Sequence, residues 1–206
     1  MNDFFMRTVT AIVLVSVGCL TFCFLEPLYF VVMLALVLGY VVAFEWPQFN
    51  IWWLTPLYPV VPFLALIHLY LQNPILWAWL VVVVASYDTG GYIIGSIWGK
   101  DKILPAVSPG KTWQGLIGGV VCAGFVGLFL KNFLNFFSFS SGVALIAGLA
   151  IGALAFWGDL FESYLKRQAE LKDSGGILPG HGGVLDRIDG LLFAAFFIDF
   201  LIICIR

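Results

Sequence analysis

Seven long apolar runs separated by short polar breaks constrain this chain more than any other feature. They cover residues 8–25, 28–44, 54–72, 75–97, 115–131, 142–160 and 189–205. A helix crosses the hydrocarbon core of a bilayer with about 20 mainly apolar residues, in a range of roughly 17–25. Backbone amides in hydrocarbon have no water to bond, so such runs must close their hydrogen bonds internally, as helices. Charge agrees with this: 11% of the 206 residues are charged and 62% hydrophobic, against about 25% charged in a soluble domain. Charge so sparse cannot cover a water-exposed surface. The expected fold is all-α: a polytopic integral membrane helical bundle with about seven transmembrane helices.

Most breaks read as simple turns. Glu26-Pro27 and Asn73-Pro74 close hairpins, and Pro56, Pro59 and Pro62 mark where the third run can be interrupted. Trp46, Trp52, Trp53, Trp77 and Trp79 stand near run ends, where aromatic belts form. The first run is too long for the core of a cleaved signal peptide, so it is expected to remain as a helix. Cys19, Cys23, Cys122 and Cys204 lie in apolar surroundings and read as small buried hydrophobes.

Two breaks differ in kind. Residues 99–114 hold Lys100, Asp101, Lys102 and Lys111, and residues 159–189 hold most of the remaining charge. With seven spans and an inside N-terminus, both fall on the cytoplasmic side, as the positive-inside rule prefers.

Asp159, Glu162, Ser163 and Lys166 are spaced i, i+3, i+4 and i+7, so one helix face carries all four. A carboxylate at the membrane boundary is costly, which makes Asp159 either a functional group or a structural partner of Lys166. Glycine then occupies five of the nine positions from Gly175 to Gly183. Such a run, Gly182 and Gly183 included, lets backbone N–H groups form a nest for an anion, although flexible turns look the same. Its flanks are informative: Lys166, Arg167 and Lys172 precede it, and Asp186-Arg187-Ile188-Asp189 follows. Cations, nest and carboxylates together suggest phosphate beside a divalent metal. Asp186 and Asp189, three apart, can face one hard cation such as Mg²⁺; otherwise they decorate a helix N-terminus. His181 reads as a phosphate contact, a general acid or a turn-ordering residue.

Upstream, Ser108-Pro109-Gly110-Lys111-Thr112 ends like a Walker A loop, but Pro105 stands where the first glycine is required. What remains is a turn delivering Lys111, with hydroxyls nearby, to a negatively charged ligand. Asp88 lies inside an apolar run and should face a polar cavity or a partner. Asp199 has no polar neighbours in sequence and reads as a helix-packing residue, and His68 as a core or interface histidine.

The run from Ser163 through Lys166-Arg167 and Lys172-Asp173 to Leu178-Pro-Gly-His-Gly-Gly-Val-Leu-Asp-Arg-Ile-Asp189 resembles the signature of phosphatidate cytidylyltransferases, also called CDP-diacylglycerol synthases. Asp88-Thr-Gly-Gly-Tyr and Ser108-Pro-Gly-Lys-Thr-Trp-Gln-Gly115 are similar to further motifs of that family, with Gln114 where Glu is expected. The resemblance runs from about Ser86 to Asp189. It divides the single membrane domain into N-terminal transmembrane helices over 1–80 and a catalytic region with cytoplasmic polar loops over 81–206.

The resemblance implies a Mg²⁺-dependent (or Mn²⁺-dependent) reaction of CTP with phosphatidic acid, giving CDP-diacylglycerol and pyrophosphate. Asp159, Asp186 and Asp189 would hold the metal, with Lys166 beside them in the catalytic group. Asp88, Ser108, Lys111, Thr112, Ser163, Arg167, Lys172, Asp173, His181, Gly182, Gly183 and Arg187 would bind substrates. The implied setting is the inner membrane with the site facing the cytoplasm, among membrane lipids, with no nucleic-acid partner and with dimerisation plausible. Rival readings are another CTP-dependent lipid enzyme, such as a polyprenol kinase or an archaeal-type CDP-lipid synthase, and an ion-coupled transporter using Asp88 and Asp159.

Overall fold

The computed structural model describes residues 16–24, 26–134, 139–180 and 182–205. Seven α-helices form among these residues: α1 (16–24), α2 (Pro27–Tyr40), α3 (Val61–Gln72), α4 (Pro74–Trp98), α5 (Trp113–Leu134), α6 (Ser141–Gln168) and α7 (Leu185–Ile205). Their ends follow local chemistry. Asn73 accepts from the N–H groups of Ile75 and Leu76, and Pro74 begins α4 where no N–H is needed. Ser140 caps α6 in the same way through Val143 N.

Five stretches are long and apolar enough to cross a membrane among the described residues: Pro27–Phe49, Trp52–Gln72, Pro74–Trp98, Trp113–Phe133 and Ser141–Gln168. The protein is thus an integral membrane protein of mainly helical build. The 21 residues of α7 also reach about 30 Å at a rise of about 1.5 Å per residue. Only part of the first apolar run is described, as α1. The third run bends where its prolines cluster: Tyr58 leaves the helical region, with φ −152° and ψ 118°.

The helices α4, α5, α6 and α7 pack side by side in chain order, and α3 closes the bundle against α7 and α4. Small residues allow this. A Cβ on Gly119 of α5 would lie 2.7 Å from the carbonyl oxygen of Tyr87 on α4, and one on Gly148 of α6 2.7 Å from that of Ala123 on α5. The glycine-rich spans therefore serve contacts within the chain. Leu36, Leu64, Phe125, Phe129 and Ile146 point outward, as a lipid-facing surface requires.

Three local expectations change. Trp46 and Trp79 are core residues rather than belt residues, because their indole N–H groups find partners inside: Thr55 Oγ1 at 2.8 Å and Gly127 O at 3.0 Å. Trp52 and Trp53 are exposed. Asp199 does have a polar partner, supplied across the bundle: His68 Nδ1 of α3 lies 2.7 Å from its Oδ1. The polar break after α4 is a small antiparallel hairpin, β1 (Lys102–Leu104) with β2 (Ser108–Thr112).

Gln114 ties down the base of that hairpin. Its Oε1 accepts from Lys100 N and its Nε2 donates to Asp101 Oδ2 at 2.8 Å. A glutamate here would set a second carboxylate against Asp101, so the amide suits this neighbour. α6 runs eight residues past its expected end at 160. Its last three turns carry Asp159, Glu162, Ser163 and Lys166 on one continuous face. The boundary drawn near residue 80 falls inside α4.

Gly148→Leu should lower the unfolding midpoint of the detergent-purified protein, since overpacking costs typically about 1–3 kcal/mol. Gly39→Ala, where an added Cβ meets nothing within 4 Å, should leave the midpoint near wild type. Tryptophan-fluorescence melting checks both; equal midpoints would refute the close-packing role of Gly148.

Candidate active site

The exposed end of α6 meets the start of α7 through one ammonium group. Lys166 Nζ lies 2.8 Å from Glu162 Oε2 and 2.6 Å from Asp186 Oδ1. Glu162 is wholly buried, where a carboxylate persists only if paired. The other oxygen of Asp186 accepts from Ser174 N at 2.9 Å and Gly183 N at 2.8 Å. Asp186 stands on the first turn of α7, ahead of its apolar stretch. Burial opposes its ionisation, but Lys166 and the two N–H groups outweigh this and hold the carboxyl below its ordinary value.

Asp159 has a different partner from the one its helix face suggests. Its Oδ2 lies 2.8 Å from Lys111 Nζ, brought in by β2, and its Oδ1 accepts from Ser163 Oγ at 3.2 Å. The Lys111 ammonium also sits 5.1 Å from the ring centroid of Phe156, a favourable cation–π arrangement. Asp189, one turn beyond Asp186, is buried, and its Oδ1 accepts from Gly190 N.

These groups open onto a cavity of about 880 Å³. Of the residues singled out from sequence, Asp88, Lys111, Thr112, Asp159, Lys166, Asp173, Asp186, Arg187 and Asp189 line it. Its far wall is made by Gly91, Gly95 and Gly99 of the α4 end with Gly115 of α5, beside Tyr87, Tyr92 and Leu116. Asp88 of α4 opens onto the cavity from this side, so carboxylates stand on both walls and glycines keep the α4–α5 face small.

Other residues are placed around this cavity rather than on its wall. Arg167 donates to the carbonyl oxygens of Val107 and Leu171, each at 3.1 Å, fastening the hairpin to the end of α6. Ser108 lies on β2, and Lys172 is exposed on the bend after α6. Thr112 Oγ1 also accepts from Gly115 N at the start of α5. His181 lies outside the described residues.

Gly182 and Gly183 shape the loop into α7. Gly182 has φ +81°, and a Cβ there would lie 2.7 Å from Asp186 Oδ2. Three N–H groups where this loop enters α7 face carboxylates of the chain itself: Gly183 N donates to Asp186, and Val184 N and Leu185 N donate to Glu45 at 2.7 and 2.8 Å.

Two acids were missed as site residues in the sequence. Glu162 was noted only for its helical spacing, and Glu45 was not singled out. The signal was available for Glu45: it is a carboxylate bordering an apolar run, like Asp88.

An all-carboxylate set on this wall suits a hard divalent cation such as Mg²⁺ or Mn²⁺. Glu162 Oε1 is buried without a hydrogen-bond partner, and Glu162 and Asp186 share the one ammonium of Lys166. Among the described residues no three such groups already converge as ligands; ammonium groups stand against Asp159 and Asp186 instead.

Residues 8–205 match the cytidylyltransferase family. A phosphatidate cytidylyltransferase of Helicobacter pylori (strain ATCC 700392 / 26695) is 42% identical over 164 residues, 78% of this chain and 60% of that protein. One of Staphylococcus saprophyticus is 43% identical over 129 residues, 63% of this chain and 48% of the relative. One of Rickettsia bellii is 33% identical over 213 residues, 96% and 91% of the two chains. The chain thus spans about 60% of the Helicobacter relative's length and about half of the Staphylococcus relative's.

Lys166→Met should destabilise the protein by about 3–5 kcal/mol, because two carboxylates lose their shared cation in a buried setting. Adding Glu162→Gln should restore part of the loss. Melting midpoints of the single and double variants measure this; strict additivity would refute the coupling.

Proposed function

The chain belongs to the cytidylyltransferase family, and on that premise we propose that it transfers CMP from CTP to phosphatidic acid. The products are CDP-diacylglycerol and pyrophosphate. The observation that carries this reading is a single cavity at the polar end of a membrane bundle. Carboxylates from α4, α6 and α7, a lysine from β2 and a glycine-lined face of α4 and α5 share it. A water-soluble nucleotide and a lipid headgroup need such a polar meeting place at the end of the bundle.

In this reaction an oxygen of the lipid phosphate bonds to the α-phosphorus of CTP. The bond from that phosphorus to the bridging oxygen breaks, and pyrophosphate leaves with the electron pair. The nucleophile comes with the substrate, so the protein needs no serine or cysteine for it. Its work is positioning and charge compensation. Lys111 and Arg187, both on the cavity wall, counter phosphate charge. Asp159, Asp186 and Asp189 would hold Mg²⁺, with Mn²⁺ as a substitute; when bound it polarises the α-phosphate and steadies pyrophosphate. Lys166 keeps Asp186 in place through its bond to Oδ1. Asp88 and Asp173 face the same cavity and meet the substrates there. Ser163 and Arg167 act through Asp159 and the hairpin.

The reading extends to the inner membrane with the site facing the cytoplasm. Lys100, Lys102, Lys111, Lys166, Arg167, Lys172 and Arg187, seven of the ten basic residues, lie in the two polar segments at this end, which supports a cytoplasmic placement.

Purified protein in mixed micelles should move label from the cytidine moiety of CTP into lipid. Label entering lipid only from the γ-phosphate would instead indicate a lipid kinase, and solute flux without CTP consumption a transporter. Asp186→Asn and Asp189→Asn should each lower turnover on the order of a hundred-fold while the proteins remain folded by melting. Excess chelator should stop turnover and added Mg²⁺ restore it; full activity in chelator would remove the metal from the mechanism.

A further inference from the structure

Glu45 is a wholly buried carboxylate in the N-terminal part of the chain, at the end of the helical turn that follows α2. Among the described residues no ammonium or guanidinium group pairs with it. Its partners instead come from the far end of the chain. Ser174 Oγ donates to Oε2 at 3.3 Å, Val184 N to Oε1 at 2.7 Å and Leu185 N to Oε2 at 2.8 Å.

Val184 and Leu185 stand at the entry to α7, where the first N–H groups of a helix have no intrahelical acceptor. A local Ser, Thr, Asp or Asn normally fills that role. Here Val184 occupies the position before the helix, and the cap arrives from about 140 residues earlier. Its negative charge also faces the positive end of the helix dipole.

The loop is shaped to admit this carboxylate. A Cβ on Gly175 would lie 3.0 Å from Glu45 Oε1, and one on Gly183 2.9 Å from it. Asp186 takes the neighbouring donors, Ser174 N and Gly183 N. Two carboxylates therefore divide the donors of one loop, one facing the cavity and one behind it. Any shift of the loop moves Asp186, and with it Asp189, relative to Asp159 on α6.

We propose that Glu45 is a positioning residue for the reaction: it caps α7 from the N-terminal part of the chain and so sets where Asp186 and Asp189 stand opposite Asp159. This rests on the proposed reading of the site. Glu45 touches neither the cavity wall nor a substrate, and acts through the backbone of residues 174–185.

The test uses the whole chain purified in detergent, comparing wild type with Glu45→Gln and Glu45→Asp. Amide hydrogen exchange is read by mass spectrometry over residues 174–186. Glu45→Gln should raise exchange there about ten-fold or more while peptides from α4 and α5 stay unchanged. Turnover per folded molecule should fall roughly ten- to a hundred-fold, and the Mg²⁺ concentration for half-maximal activity should rise. KM for phosphatidate should hold, and Glu45→Asp should recover part of each effect.

Wild-type exchange in Glu45→Gln would overturn the proposal. So would a loss of activity that only tracks the amount of folded protein, with an unchanged Mg²⁺ requirement. If Glu45→Gln does not fold, Ser174→Ala removes one of the three donors and should shift exchange and Mg²⁺ requirement the same way, by less. Wild-type values for both in Ser174→Ala would also overturn it. A wild-type protein that makes no CDP-lipid defeats the reading of the reaction, whereas the exchange comparison still decides the role of Glu45.

Discussion

The ammonium of Lys166, held between Glu162 and Asp186, is the contact on which the polar end of this protein depends. Three ionisable groups withdrawn from water are tolerable only when they compensate one another. That requirement fixes the last turns of α6 against the first turn of α7. Everything at the cavity wall follows from this docking: Asp159 lies one turn behind Glu162, and Asp189 one turn beyond Asp186. Lys111 then completes the arrangement from the hairpin, compensating Asp159 where Lys166 does not reach. Lys111 and Lys166 each stand against carboxylates at this wall, so polyanionic substrates meet cations there as well as acids.

The glycine-lined face of the cavity has a different origin. Helices α4 and α5 approach closely because glycines replace side chains where they cross, as at Gly119 against Tyr87. Close approach narrows the bundle, and Gly91, Gly95, Gly99 and Gly115 leave the cavity floor open. The same small residues thus give packing below and room above. The loop into α7 works in reverse: its glycines let Glu45 and Asp186 come in from opposite sides. A stretch that looks flexible in composition is held by several hydrogen bonds to buried carboxylates.

Much of this was legible in the sequence, and the failures have physical causes. Apolar run lengths located the helices because the bilayer sets a length scale that composition must meet. The charged segments were recognisable because charge is so rare elsewhere. Asp159 and Lys166 share a helix face, and spacing alone left them as candidate partners; the structure pairs Asp159 with Lys111, which lies 48 residues away. Spacing reports neighbours on one helix, and it carries nothing about a hairpin folded over that helix. Trp46 and Trp79 looked interfacial from their places near run ends, yet each found an internal acceptor. The glycine loop suggested a nest for an external anion; that its last donors, at Gly183, Val184 and Leu185, meet Asp186 and Glu45 could not be read from spacing.

By itself the sequence determined that the chain is a membrane bundle with its chemistry gathered at one end. Hydrocarbon forbids unsatisfied backbone and scattered charge, and both constraints are written in composition and spacing. Its long motif from Ser163 to Asp189 also marked the family to which the chain belongs. Only the tertiary structure decided which charges compensate which, that Glu162 is buried, and that Glu45 reaches across the chain to the loop before Asp186. Those are distances between groups far apart in sequence, and they are chosen by how helices dock rather than by what any segment prefers alone.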